Sequence, residues 1–180
     1  DPIILHDIDT TTQRKVFTNM LETCGQGLYI TGNQSYKDET KDENVGNLLN
    51  ITYKFLDDHN YTYNPDKYYV ELHSYCAIGG KVEVPFAWHQ DNYGAWDEKV
   101  ISVLYYLDKD STIEGGNLLY TDNKTDPDSI TSVCKRKKVD IKKIETESNM
   151  LVMFNGDLWH KPEDVDGYGI RSLLIVQVAI

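Results

Sequence analysis

The sequence predicts a mostly β protein with helices at its N-terminal end: a sandwich or barrel carrying helices on one face. Three observations predict it. Before about residue 64, apolar residues recur at helical spacing. After Pro65, short β-branched and aromatic runs recur, broken by Gly, Asp and Asn. Helices followed by seven or eight strands, rather than alternating with them, is the order of such layered β folds. At 180 residues a single domain over 1–180 is expected, with helical support over about 1–64 and a β core over about 65–180.

The elements follow in chain order. A first helix is expected over 9–24: Asp9 and Thr10 to Thr12 offer capping oxygens, and Val16, Phe17, Met20, Leu21 and Cys24 share a face before Gly25 stops the run. A short strand over 27–31 precedes a polar, aperiodic loop over 33–43. A second helix over 44–58 presents Val45, Leu48, Leu49, Thr52, Phe55 and Leu56. Strands are then expected over 67–76, 82–88, 100–107, 117–120, 139–145, 150–154 and 170–179, with a shorter one over 158–160. Turn chemistry separates them at Gly79-Gly80, Asp108 to Asp110, Gly115-Gly116, Asn155-Gly156-Asp157 and Gly167-Tyr168-Gly169. Residues 121–132 are polar and read as an inserted loop.

Charge and cysteine usage exclude several functions. Lys plus Arg number 18 and Asp plus Glu 29, a net charge of −11. A protein that grips nucleic-acid phosphates needs a basic face, so no nucleic-acid partner is expected. The one basic cluster, Lys135 to Lys138, reads first as a solvated loop or strand edge. No apolar run approaches the roughly 20 residues of a membrane span, and no membrane partner is expected. Cys24, Cys76 and Cys134 are odd in number and lack a CxxC pair, so neither a disulfide framework nor a zinc ribbon is built from them. This usage points to a reducing, cytoplasmic setting. The chain opens on Asp1-Pro2 without methionine, which leaves a trimmed leader or an upstream domain open.

The chemistry lies in the histidines. His89-Gln90-Asp91 is an H-x-D pair, common by chance and by itself compatible with a hydrogen-bonded histidine at a strand end. On a strand, positions i and i+2 point to one face, so His89 and Asp91 would project together. That is two-thirds of the 2-His-1-carboxylate set that holds non-haem Fe(II) with coordination positions left open. His160, after an apolar strand and the turn Asn155-Gly156-Asp157, is well placed to complete it. Eleven residues on, Arg171 is the one strong charge in the final apolar strand. A buried arginine needs an anion. Either a structural carboxylate such as Asp157 or the carboxylate of a substrate would serve. The turn at Gly167-Tyr168-Gly169 would lay this strand antiparallel beside that of His160.

His89-x-Asp91, His160 and Arg171 at plus eleven together resemble the Fe(II)/2-oxoglutarate-dependent dioxygenases, over about residues 69–180. The run Leu104-Tyr105-Tyr106-Leu107-Asp108, followed by Glu114-Gly115-Gly116-Asn117-Leu118, is similar to the prolyl hydroxylase branch, closest to the hypoxia-type enzymes and their microbial and viral relatives. The resemblance implies a double-stranded β-helix, a jelly-roll and cupin-like fold. It implies His89, Asp91 and His160 as iron ligands, and Arg171 with Tyr106 as the grip on the distal carboxylate of 2-oxoglutarate. Tyr75 would line the cosubstrate pocket, although it stands fourteen positions before His89, longer than is usual in the branch. Collagen-type enzymes carry lysine where Arg171 stands, which points away from that sub-branch. Halogenating relatives carry a small residue where Asp91 stands, which favours hydroxylation here.

The implied cofactors are Fe(II), 2-oxoglutarate and O2, with ascorbate as an accessory reductant. The implied reaction is hydroxylation of a C–H bond, foremost of a prolyl residue in a peptide or protein, with release of succinate and CO2. Three other readings stay open: a hydroxylase of a free amino acid or other small molecule, a nucleic-acid dealkylating relative, and a non-enzymatic cupin-like module with a structural metal. The dealkylase is disfavoured by the acidic pI near 4.8 and by the lack of a second arginine soon after Arg171. The module is disfavoured because a structural metal has no use for a carboxylate clamp. Specificity is expected in the loops 33–43, 92–99 and 121–132. Trp96 is the candidate substrate contact among the tryptophans, while Trp159, next to His160, should face the opposite way into the core.

Overall fold

The computed structural model describes residues 1–6, 27–34, 43–84, 86–92, 99–109, 112–124, 126–128 and 139–180. Two antiparallel sheets face one another. The larger sheet is built from β1 (Ile3–His6), β2 (Gly27–Gln34), β3 (Tyr68–Ile78), β4 (Val100–Lys109), β8 (Met150–Asn155) and β10 (Val165–Ala179), in the order β1-β8-β4-β10-β3-β2. Its short companion β5 (Ile113–Gly115) pairs with the start of β10. The smaller sheet runs β7-β6-β9, from β7 (Lys142–Ile144), β6 (Leu118–Thr121) and β9 (Trp159–Pro162). The arrangement is consistent with a jelly roll.

Alternation along each central strand makes two cores. Ile101, Val103, Tyr105 and Leu107 of β4, Leu151 and Met153 of β8, and Val176 and Val178 of β10 point outward. They bury Leu49 and Leu56 of the helix α1 (Glu43–Asp58), which covers that face. The other parity faces the smaller sheet: Leu104 and Tyr106, Met150, Val152 and Phe154, and Leu173 pack with Leu118, Ile144 and Val165. Alpha-helical periodicity over 44–58 therefore corresponds to α1. The helix expected over 9–24 lies outside the described residues, as do Trp96, Cys24, Cys134 and the cluster Lys135 to Lys138. Strand β1, which the sequence reading left out, pairs with the edge of β8.

Two expectations are corrected. Residues 82–88 do not form a strand. They run antiparallel beside 156–167 but are tied to it only at intervals: Gly79 to Gly167, Val82 with Val165, Val84 to the Asp164 carboxylate, His89 with His160, and Asp91 to Gly156. Pro85 has no amide proton to offer such a ladder. Nor does Gly167-Tyr168-Gly169 reverse the chain. It lies inside the fifteen-residue strand β10, whose first residues pair with β5 and whose remainder pairs with β3 and β4. Gly167 and Gly169 have φ of 100° and 127°, a region L side chains avoid, so the strand bends there and passes between partners. Arg171 and His160 thus sit on facing sheets rather than on neighbouring strands.

Candidate active site

His89, Asp91 and His160 converge although none of them is near the others through a continuous sheet. His89 and His160 form an isolated antiparallel bridge, exchanging backbone hydrogen bonds of 3.1 and 3.0 Å. The next turn of the chain is fixed by Asp91 N–H and Asn92 N–H, which both donate to the Gly156 carbonyl, at 2.8 and 3.0 Å. The turn Asn155-Gly156-Asp157 that leads into β9 is therefore also the backbone support of the acidic ligand candidate. One ligand atom from each of the three residues lies within 4.8 Å of the others.

The atoms are presented as a metal needs them. His89 Nδ1 lies 3.0 Å from the Ala87 carbonyl and His160 Nδ1 2.9 Å from the Leu158 carbonyl. Each Nδ1–H therefore donates to backbone, which leaves the Nε2 lone pair free to ligate. Those Nε2 atoms stand 3.6 Å from Asp91 Oδ1 and 3.6 Å from Asp91 Oδ2 respectively. Adjacent ligands on one ion bound at about 2.1 Å would be about 3 Å apart, so a small contraction closes the set. Burial pushes the His160 imidazole below its usual pKa, against the pull of Asp91, and so favours the neutral, ligating form. Ser102, fully buried, donates to Asp91 Oδ2 at 2.5 Å and holds the carboxylate in place. The donor set, the tautomers and the spacing fit a divalent iron ion.

A half-open cavity, about 390 Å³ with its solvent-open mouth included, opens beside His89 and His160 and reaches Arg171. It is lined by His89 and His160, by Tyr75, Tyr106 and Arg171, by His73, and by the apolar walls Phe86, Leu104, Leu118, Leu173 and Ile175. Arg171 is only 2% exposed. Its Cζ lies 4.7 Å from the Tyr106 ring and 5.2 Å from the Tyr75 ring, so two aromatic faces hold the guanidinium. Burial, more than the neighbouring Arg171 charge offsets, pushes the Tyr106 phenol pKa up. Nε and Nη1 of Arg171 have no hydrogen-bond partner. Among the described residues no carboxylate pairs with Arg171, and Asp157 is exposed, so the structural ion pair is not formed. A buried cation with two unused donors is the mark of an anion site.

The Gly115-Gly116 pair explains how the guanidinium is kept in position. Gly116 has φ of 65°, and a Cβ there would fall 2.5 Å from Arg171 Cδ and 2.8 Å from Nε. Gly116→Ala is expected to cost about 1–3 kcal/mol of stability through the left-handed backbone and the clash. It should also raise the 2-oxoglutarate concentration needed for half-maximal binding, while Mn(II) affinity stays at the wild-type value; thermal melts and calorimetric titration read the two effects.

Of the site residues expected from the sequence, His89, His160, Arg171, Tyr106 and Tyr75 line this cavity, and Asp91 stands behind it, beside the two histidines. Trp96 lies outside the described residues, and Trp159 is half-buried with its Nε1 shielded from solvent and unpartnered. Sequence reasoning missed Ser102 and His73. The signal for both was parity: Ser102 precedes Leu104 and Tyr106 at even steps on β4, and His73 precedes Tyr75 by two on β3.

Comparison with known proteins agrees with this geometry. The family model described as the 2OG-Fe(II) oxygenase superfamily matches residues 70–176. No curated protein matches the chain in sequence. Solved structures similar in fold include a Pseudomonas putida prolyl-4-hydroxylase, at 12% identity and a TM-score of 0.63, covering 99% of this chain and 91% of that one. A Trichoplax adhaerens prolyl hydroxylase in complex with a hypoxia inducible factor oxygen degradation domain peptide fragment aligns at 18% identity and a TM-score of 0.63, covering 99% and 83%. A Burkholderia pseudomallei oxidoreductase of the 2OG-Fe(II) oxygenase family aligns at 11% identity and a TM-score of 0.61, covering 99% and 84%.

Proposed function

From the premise that the chain belongs to the 2OG-Fe(II) oxygenase superfamily, we propose that it hydroxylates a C–H bond of a prolyl residue in a peptide or protein, consuming 2-oxoglutarate and O2 and releasing succinate and CO2. The observation that carries the dioxygenase reading is the pair of unused donors on buried Arg171, in the same cavity as a His-Asp-His cluster. The prolyl and peptide part rests on the fold shared with prolyl hydroxylases, one of them solved with a peptide.

In this reading His89, Asp91 and His160 hold Fe(II), and Arg171 with the Tyr106 hydroxyl takes the distal carboxylate of 2-oxoglutarate. Bound iron and keto acid supply the oxidative decarboxylation and the C–H oxidation. The chain supplies position. Backbone carbonyls of Ala87 and Leu158 fix the two ligating tautomers, and Ser102 fixes the carboxylate. Tyr75 and Tyr106 clasp the guanidinium from both sides. Leu104, Leu118, Leu173 and Ile175 line the cavity with apolar surface.

The test is a panel of proline-containing peptides and free amino acids, incubated with Fe(II), 2-oxoglutarate, O2 and ascorbate, and scored for a gain of one oxygen by mass spectrometry. Oxygen gain on a prolyl peptide supports the proposal. Oxygen gain on free amino acids alone overturns the peptide part. No succinate with any member overturns the dioxygenase part.

A further inference from the structure

Val100 opens β4 and is only 3% exposed, so its amide must find a partner inside the protein. Gly156 N–H donates to the Val100 carbonyl at 2.9 Å. In an antiparallel ladder the return bond would run from Val100 N–H to the Gly156 carbonyl. That carbonyl is engaged elsewhere: it accepts from Asp91 N–H and Asn92 N–H, at 2.8 and 3.0 Å, which occupies both of its lone pairs. Val100 N–H donates instead to Asn92 Oδ1, at 2.9 Å. The Asn92 side chain thus stands in for a backbone carbonyl, and the exchange leaves Gly156 to hold the acidic ligand candidate.

The same bond bears on the Asp91 carboxylate. Ser102, two residues after Val100 on β4, donates to Asp91 Oδ2 at 2.5 Å. Asp91 is therefore held at its backbone by Gly156 and at its carboxylate by Ser102, and Asn92 Oδ1 ties the start of β4 to the turn that carries both. The links close into a ring: Asp91 carboxylate to Ser102, along β4 to Val100, across to Asn92 and Gly156, and back to the Asp91 amide. The ring is tightly packed. A Cβ at Gly156 would fall 2.6 Å from Asn92 Oδ1 and 2.6 Å from Val100 Cγ2.

Resting on the reading of His89, Asp91 and His160 as the metal ligands, we propose that Asn92 is a positioning residue of the metal centre, its side-chain carbonyl setting where Asp91 stands relative to the two histidines. Without Oδ1, the buried Val100 N–H would compete with Asp91 N–H for the Gly156 carbonyl, and Ser102 would lose its alignment with the carboxylate. Outer partners that orient a ligand in this way typically change metal affinity by about 10–100-fold when removed.

The experiment is a Mn(II) titration followed by electron paramagnetic resonance, on wild type, Asn92→Ala, Ser102→Ala and the double variant, each checked for folding by circular dichroism and thermal melting. Asn92→Ala is expected to weaken Mn(II) binding about tenfold. In the Ser102→Ala background the same change should weaken it by less than about threefold, because both substitutions release the same carboxylate. A lowered melting temperature with wild-type Mn(II) affinity in Asn92→Ala overturns the proposal in favour of a cap on β4 alone. An undiminished loss in the Ser102→Ala background also overturns it, since Asn92 would then not act through the Asp91 carboxylate. Should Asn92→Ala not fold, Asn92→Ser, one bond shorter, is read by the same outcomes. A wild-type chain that binds no Mn(II) overturns the reading of the metal site itself, and is told apart because no variant is needed to see it.

Discussion

His160→Ala is expected to abolish Fe(II)-dependent formation of succinate and to lower metal affinity by at least about a hundredfold. His160 contributes at three levels. Its Nε2 is one of three ligand atoms, its backbone pairs with His89, and its ring lies against the rings of both His89 and Phe154, at 4.3 and 4.7 Å. Alanine leaves the backbone bridge intact, so the fold should survive while the ligand set falls to two. Metal titration by electron paramagnetic resonance of Mn(II), with succinate measured in parallel, reads both outcomes. Wild-type metal affinity in this variant would mean that the cluster is not where iron is held.

The second large effect is expected at Arg171, and it has two opposite signs. Arg171→Met removes a charge that is buried with two of its donors unpartnered. Replacing such a charge with an apolar side chain of similar volume is often stabilising, here by about 1–2 kcal/mol. For a chain of this length that corresponds to a rise of about 2–8 °C in the melting temperature of the ligand-free protein. The same substitution removes the donors for the distal carboxylate, so 2-oxoglutarate binding should weaken by about a hundredfold or more. Adding 2-oxoglutarate should therefore raise the wild-type melting temperature and leave that of Arg171→Met unmoved. Scanning calorimetry with and without the keto acid tests both signs. A variant that melts lower than wild type in the absence of ligand would show that the guanidinium is paid for by the fold rather than by its ligand.

The site was legible in the sequence because its residue types are scarce and chemically constrained. An arginine inside an apolar strand has few explanations, and an H-x-D pair with a later histidine matches one ligand set closely. The strand carrying Tyr106 was legible for a related reason: residues 100–107 are all buried, so they read as a nearly continuous β-branched and aromatic run. What local pattern could not give was the route of the chain between the strands. The segment 82–88 has strand-like composition, yet its bonds are made at intervals to 156–167, a partner far along the sequence. Gly167-Tyr168-Gly169 has turn chemistry, yet the pairing of β10 with β3 and β4 carries the strand straight on past it. Local propensity was outweighed in both places by tertiary pairing. Ser102 and His73 escaped notice because a serine or histidine within a strand carries no signal until the parity of that strand is assigned to a face.

The intermittent mooring of residues 79–92 has a consequence for how this scaffold can vary. The spacing of fourteen positions between Tyr75 and His89 is long for the branch it resembles. Because His89 takes its placement from its bridge to His160, and Asp91 from Gly156, the slack between Val84 and His89 is not transmitted to the metal ligands. Insertions or deletions there would remodel one wall of the cavity, where Phe86 stands, while the His89–His160 bridge and the Asp91–Gly156 hydrogen bond keep the three candidate ligands in place.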